Sequence, residues 1–379
     1  MEQIDIKKCN HIVFGEEHHN PLGIIRSLGE NGIKPIAIII KSSRRIASMS
    51  KYISKLIFVD SLEEGYKIII NNYRHTNNKS FIYTSDDTIT SYLDNHYNEL
   101  KKYFYFFNAG KQGRINFYMD KNNIGELARR CGLEVPKTWH VKTGNIPKDL
   151  FYPVITKTCN SKMKNWKSEM HICHNEEELL NAYKLIKSKD IILQEYISKK
   201  NEIAVSGVSS NKGKNVLYTV EINFNYLIED SYSYYMTVKN FEGYNMIDKM
   251  NNMFKEIGFE GIFEIEFLLG ENGKKYFLEI NFRPTAWNYS STVAKMPMPI
   301  IWAESMANKH NAETYLKKFK RFNAILDVKD YIYRVRINKM STIKWIVEYS
   351  KSKCKYYFNW RDIKPFYSLI KSHLKKMNL

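Results

Sequence analysis

The segment Gly261 to Arg283 constrains this chain more than any other. It runs as Gly-Ile-Phe-Glu-Ile-Glu-Phe, a polar turn Gly270-Glu-Asn-Gly273, and Tyr-Phe-Leu-Glu-Ile-Asn-Phe-Arg. Two apolar runs with alternating acids, joined through Asn272-Gly273, predict a β-hairpin. Side chains alternate between faces along a strand. Glu264, Glu266 and Leu268 therefore share one face, and Phe277, Glu279, Asn281 and Arg283 are expected to share one face of the returning strand. Cross-strand pairing then lets Glu266, Glu279 and Asn281 converge. Two carboxylates and an amide oxygen are hard ligands of the kind Mg²⁺ takes beside phosphate oxygens and waters. Arg283 follows on that face, where a guanidinium grips a phosphoryl group or a developing oxyanion. The competing reading is a hairpin with one solvated charged face. The flanking Ile262, Phe263, Phe267, Phe277, Leu278, Ile280 and Phe282 tilt the choice, and no lysine interleaves the acids.

The order E-x-N-x-R resembles the end of the ATP-grasp core, and further segments resemble that family in sequence order over residues 116–285. Tyr118-Met-Asp-Lys121 and the helix-like stretch to Pro136-Lys137 look like its opening helix and strand entry. Tyr152 to Lys157 resembles the strand bearing its phosphate-binding lysine. Ile191 to Ile197 resembles the hinge that reads adenine, and Glu202 sits where the family places a ribose-binding carboxylate. Glu266-Phe267 with Glu279 to Arg283 is similar to the D-aspartate ligase-like carboxylate–amine ligases. Two departures stand out: Pro284-Thr-Ala-Trp287 replaces the usual Asn-Asp-Gly, and the loop 158–168 lacks glycine.

The resemblance implies an α/β and α+β protein in four parts. These are a Rossmann-like substrate domain (1–115), an ATP-grasp lid lobe (116–190), a C-terminal lobe with the metal site (191–312) and a basic, helical C-terminal extension (313–379). It implies ATP, with Lys121 and Lys157 on its phosphates, Glu195, Tyr196 and Ile197 at adenine mainly through backbone, and Glu202 at ribose. It implies two Mg²⁺, or Mn²⁺ in their place, on Glu266, Glu279 and Asn281. Arg283 would stabilise an oxyanion, and Lys239 would touch phosphate or substrate. The implied reaction joins a small-molecule carboxylate to an amine through an acyl phosphate, with an amino acid and a cell-envelope precursor as expected partners. The alternatives are an ATP-grasp carboxylase acting with bicarbonate, and a non-catalytic basic protein that binds nucleotide or an anionic surface.

The residues upstream read independently as an α/β unit. Apolar runs at His11–Phe14, Pro35–Ile40, Leu56–Val59 and Phe81–Thr84 alternate with helix-like segments, as parallel strands buried on both faces do. G-x-G-x-x-G is absent, which argues against a dinucleotide domain. The loops after the first and fourth runs lie where open α/β sheets bind ligands. His18, His19, Asn20, Asp86 and Asp87 are thus candidate substrate contacts, although Asn-Pro and Ser-Asp-Asp are also ordinary turn and cap residues.

Composition removes other classes. Five scattered cysteines without C-x-x-C fit a reduced, cytoplasmic protein. His171 and His174 lack a second pair at zinc spacing. No leader is expected after the acidic Met1 to Asp5, and the longest apolar run is too short to cross a bilayer. Residues 311–379 hold 17 basic and 5 acidic residues, net +12 of the chain's +18. Within them Ile363, Phe366, Leu369, Ile370 and Leu374 form an apolar stripe beside lysines. Such a helix either lies on an anionic membrane, which would make the protein peripheral to its inner face, or docks on the core. No nucleic-acid recognition motif accompanies the charge.

Overall fold

A computed structural model describes residues 3–158, 169–228 and 233–377. The loop expected over the nucleotide, 159–168, lies outside the described residues, as does Tyr232. Three sheets organise the chain.

The first sheet holds β1 (His11–Gly15), β2 (Ile36–Ile40), β3 (Lys55–Val59), β4 (Ser80–Thr84) and β5 (Phe104–Tyr105). All are parallel, in the order β3-β2-β1-β4-β5. Helices cover both faces, so β1 and β4 are buried along their whole length, which is why their sequences are continuously apolar. The order reverses at β1, and the loops after β1 and β4 open at that switch point.

The second sheet, in the order β6-β9-β7-β8, is a small lid with its own core around Trp139, Val154, Leu179 and Leu193. Its strands are β6 (Thr138–Lys142), β7 (Val154–Thr158), β8 (Ile172–Cys173) and β9 (Asp190–Glu195). The lobe boundary expected at residue 190 falls at the start of β9, which pairs with both β6 and β7. The lid therefore ends at the short connection 196–198.

The third sheet has seven strands. β10 (Lys199–Ser210), β11 (Asn215–Phe224) and β12 (Tyr235–Lys239) lie beside the expected hairpin, which is β13 (Gly261–Gly270) and β14 (Lys275–Asn281). Two more, β15 (Phe322–Ile325) and β16 (Cys354–Lys355), come from the basic C-terminal segment and extend the sheet beyond β12. That segment is thus part of the core sheet rather than a helical appendage. It also bolts the first domain in place. Arg26, fully buried, meets Asp362 at 3.0 Å and donates to the carbonyls of Tyr356 and Tyr357. The helix Lys364–Met377 buries Leu369 and packs Phe366 on the main core. Ile363 and Ile370 are half-buried, and the side chain of Leu374 lies outside the described residues.

Candidate active site

The hairpin forms as expected, with Gly273 at φ 76° in its turn, a conformation glycine adopts without strain. Glu266 stands opposite Glu279, and Glu264 opposite Asn281. Asn281 Nδ2 donates to Glu266 Oε1 at 2.9 Å. The expected alternation fails at one point. The register slips between Glu266 and Phe267, so Phe277 pairs with Phe267 while Glu279 pairs with Glu266. Leu278 is the extra residue of a β-bulge. Phe277 therefore lies on the buried face, 1% exposed, and does not share the face of Glu279 and Asn281. The bulge allows an apolar strand to present acids to the cleft while keeping its phenylalanines inside.

Lys121 reaches this cluster from the start of the helix Lys121–Arg130, where Asp120 caps the first turn. Its Nζ meets Glu279 Oε2 at 2.9 Å. The cleft's desolvation pulls Lys121 down, but the Glu279 and Glu266 carboxylates outweigh it and hold the amine above its ordinary value. Lys157, on β7 of the lid, is in turn pushed down to about 8, first by burial and then by the charge of Lys121. It donates to Gln194 Oε1 at 2.6 Å. The two lysines and the two carboxylates thus form one chain of charges from lid to hairpin. Lys157 carries no carboxylate partner among the described residues, so an added polyanion would find it uncompensated.

The hinge residues lie at the lid's edge. The N–H groups of Glu195 and Tyr196 are engaged by the carbonyls of Lys137 and Pro153, and Glu195 Oε2 accepts from Lys137 N. Ser198 O accepts from Glu271 N, which ties the hinge to the hairpin turn. Glu202 pairs with Leu268, one step along the face of Glu266, and meets Lys199 at 2.9 Å.

Lys239 is not brought to the cluster. It meets Glu221 at 3.2 Å. Glu221 pairs with Val205, and Val205 with Ile265. The pleat therefore puts Lys239 on the face opposite Glu264 and Glu266. Lys239 is thus engaged by a buried carboxylate, which also faces Lys275 at 3.5 Å.

Arg283 lies at the end of the hairpin, and Asp87 grips it through Nε at 2.7 Å and through Nη2. Asp87, expected at substrate, instead orients the guanidinium. Asp86 caps the helix Asp87–Asn95 by accepting from Thr88 N and Ile89 N. His18 caps the helix His19–Gly29 and bonds Asn20. His19 is buried, which pushes its pKa well down, and its Nδ1 lies 3.2 Å from the Tyr357 hydroxyl. The loop chemistry of Asp86 and His18 is thus local capping.

Glu264 was legible as an acid on the right face but not as part of the site. It is 1% exposed and accepts from Ser206 Oγ at 2.8 Å. Burial pushes its carboxyl up to about 7, against the pull of the Thr285 and Ser206 hydroxyls and the Arg283 charge.

No three-residue cluster of His, Cys, Asp and Glu suited to a metal occurs among the described residues. Glu266, Glu279 and Asn281 fit a Mg²⁺ that keeps waters and completes its shell with phosphate oxygens.

No family model matches the chain. The 2-oxoglutarate carboxylase small subunit of Hydrogenobacter thermophilus is 28% identical over 189 residues, 45% of this chain and 39% of that relative. The biotin carboxylase domain of the same enzyme, solved with MgADP, ADP and bicarbonate, superimposes with a TM-score of 0.60 at 18% identity, over 83% of this chain and 74% of that one. N5-carboxyaminoimidazole synthetase from Staphylococcus aureus gives 0.64 at 16% identity, covering 89% and 88%. L-amino acid ligase from Bacillus licheniformis gives 0.60 at 12%, covering 86% and 80%. These neighbours are ATP-grasp enzymes. The fold is the ATP-grasp fold. Within it the cleft between the lid sheet and the hairpin is where Lys121, Lys157, Glu266, Glu279 and Asn281 meet.

Proposed function

We propose that the protein is an ATP- and Mg²⁺-dependent ligase that joins a carboxylate to an amine through an acyl phosphate and releases ADP and phosphate. One observation carries the reading: Glu266, Glu279 and Asn281 converge opposite Lys121 and Lys157, in the cleft of an ATP-grasp fold. The neighbour solved with MgADP supports nucleotide and magnesium there.

Lys121 and Lys157 neutralise phosphate oxygens, Glu195 to Ile197 border the base, and Glu202 meets the ribose hydroxyls. Bound Mg²⁺ supplies charge stabilisation for the transferring phosphoryl group, held by Glu266, Glu279 and Asn281. A substrate carboxylate oxygen attacks the γ-phosphorus, and the bond to the β–γ bridging oxygen breaks. An amine nitrogen then attacks the acyl carbon, phosphate leaves, and the nitrogen gives up its proton. Arg283, fixed by Asp87, stabilises the tetrahedral oxyanion.

A coupled assay of ADP release over a panel of amino acids, with hydroxylamine to trap acyl phosphate as a hydroxamate, tests this reading. AMP and pyrophosphate as products would sink it. The identity with a carboxylase subunit favours a second reading, in which bicarbonate is the activated acid; ADP release that requires bicarbonate and no amino acid would select it. Binding of nucleotide without ADP release would leave a non-catalytic nucleotide-binding protein. The D-aspartate ligase-like assignment, an envelope-precursor acceptor and a second metal ion are part of the proposal. No described helix is long and apolar enough to cross a membrane. We place the protein in the cytoplasm, and any attraction to an anionic membrane rests on the net charge of its C-terminal segment.

A further inference from the structure

The net charge of the C-terminal segment is accompanied by an apolar face that the core does not cover. The helix Thr342–Lys351 contains no buried residue. Its Ile343, Ile346 and Val347 are 76%, 54% and 44% exposed, and Ile337, at the end of the preceding helical segment Tyr331–Ile337, is exposed as well. Spacings of three and four residues put Ile343, Ile346 and Val347 on one face. The opposite face holds the helix to the protein. There Trp345 Nε1 donates to the buried Asp330 at 2.7 Å, the Tyr349 hydroxyl donates to the buried Asp327 at 3.1 Å, and Glu348 pairs with Arg334. Polar anchors thus point inward and branched aliphatic side chains outward, the reverse of an ordinary surface helix.

The rim of this stripe is cationic. Lys344 and Lys351, two turns apart, border it on one side and are exposed. Residues 331–353 carry six basic side chains and one acid, Glu348, which Arg334 already holds. An exposed indole stands close by: the Phe358 ring lies 6.4 Å from Tyr349 and 4.8 Å from Trp360, which is 84% exposed. Outward aliphatics with lysines and a tryptophan beside them are the composition of a helix that lies in the interface of an anionic bilayer. A second copy of the chain fits the face less well, because a two-fold interface would bring the cations of both copies together.

We propose that the helix Thr342–Lys351 seats the protein on an anionic lipid leaflet. Ile343, Ile346 and Val347 enter the interface between headgroups and acyl chains, and Lys344 and Lys351 meet lipid phosphates. The contact is made by this helix rather than by the terminal helix Lys364–Met377, whose Leu369 and Phe366 are spent on the core. It goes beyond the ligase reading and does not depend on it.

Co-flotation of the full chain with phosphatidylglycerol vesicles and with phosphatidylcholine vesicles tests this. At low salt the protein should float with the former and much less with the latter. Ile343→Ser combined with Ile346→Ser should weaken partition at least ~10-fold, the scale of withdrawing two aliphatic side chains from an apolar medium. The urea midpoint should stay near wild type, since both side chains are exposed. Lys344→Gln combined with Lys351→Gln should weaken partition and reduce its salt dependence. Leu185→Ser, at an exposed aliphatic of the lid, should leave partition unchanged. A chain that stays unbound at low salt would overturn the proposal. So would partition that survives the paired isoleucine change, which would assign the attraction to diffuse charge, or partition that falls equally with Leu185→Ser. A dimer seen by analytical ultracentrifugation and dissolved by the isoleucine pair would give the face to a second copy and overturn it too.

Discussion

Replacing Glu264 by glutamine should change the stability of the protein in a way that depends on pH. Glu264 is 1% exposed in the centre of the large sheet. The ordinary glutamate value is 4.5, and burial raises this carboxyl to about 7. A raised acid keeps its proton in the folded state to higher pH than in the unfolded chain. Stability therefore falls as pH climbs from 4.5 to about 7 and is flat beyond. At about 1.4 kcal/mol per pH unit, ionised Glu264 costs the fold roughly 3 kcal/mol at about pH 8 and under ~1 kcal/mol at about pH 5. Glu264→Gln removes the ionisation and retains an oxygen to accept from Ser206. Its amide introduces donors that can go unsatisfied, a cost of about 1–3 kcal/mol, but that cost is the same at both pH values and cancels in the comparison. The stability difference between variant and wild type should thus shift in favour of the variant by roughly 2.5 kcal/mol between about pH 5 and about pH 8. Urea denaturation in EDTA, followed by tryptophan fluorescence, measures it. A shift below ~1 kcal/mol would refute the idea that burial holds this carboxyl protonated near neutrality.

Glu279→Gln should lower turnover by at least ~10²-fold, the scale of one preorganised electrostatic group, while the melting temperature stays close to wild type; turnover near the wild-type rate with saturating Mg²⁺ would make the hairpin a solvated face. Lys157→Ala should weaken ATP binding sharply in equilibrium titration, and Lys371→Ala should leave it unchanged. Because Lys157 titrates near about 8, wild-type ATP affinity should decline as pH rises through that value, and binding at about pH 8 should take up a proton, measurable by calorimetry in two buffers. Asp362→Ala leaves the Arg26 guanidinium with carbonyl partners but no counter-charge at 0% exposure, and should cost about 3–5 kcal/mol in denaturant melts. A truncation ending at Asn359 deletes the same carboxylate and also strips Leu369 and Phe366 from the core, so it should destabilise the fold by more.

The C-terminal segment illustrates how charge and apolar pattern compete as signals. Net +12 and an apolar stripe fit a membrane-lying helix as well as a docked one. In the tertiary structure Leu369 and Phe366 of the stripe meet the main core, and β15 and β16 enter the sheet. Lys364 and Lys371 stay exposed, as do Trp360 and Tyr367, and the electrostatic part of any attraction to an anionic leaflet is screened by salt.

The sequence by itself determined what repeats over short distances. Continuous apolar runs predicted β1 to β4, and the glycine–asparagine turn with alternating acids predicted the hairpin and the convergence of Glu266, Glu279 and Asn281. These signals are local because strand period and turn chemistry involve neighbouring residues. Only the tertiary structure decided the rest. The bulge at Leu278, which separates Phe277 from Glu279, arises from pairing with β13, where the apolar rings must stay inside. Asp87 became the partner of Arg283, and Glu221 the partner of Lys239. Each of these depends on groups tens to hundreds of residues apart. Their meeting follows from sheet order and burial, quantities that no sequence window contains.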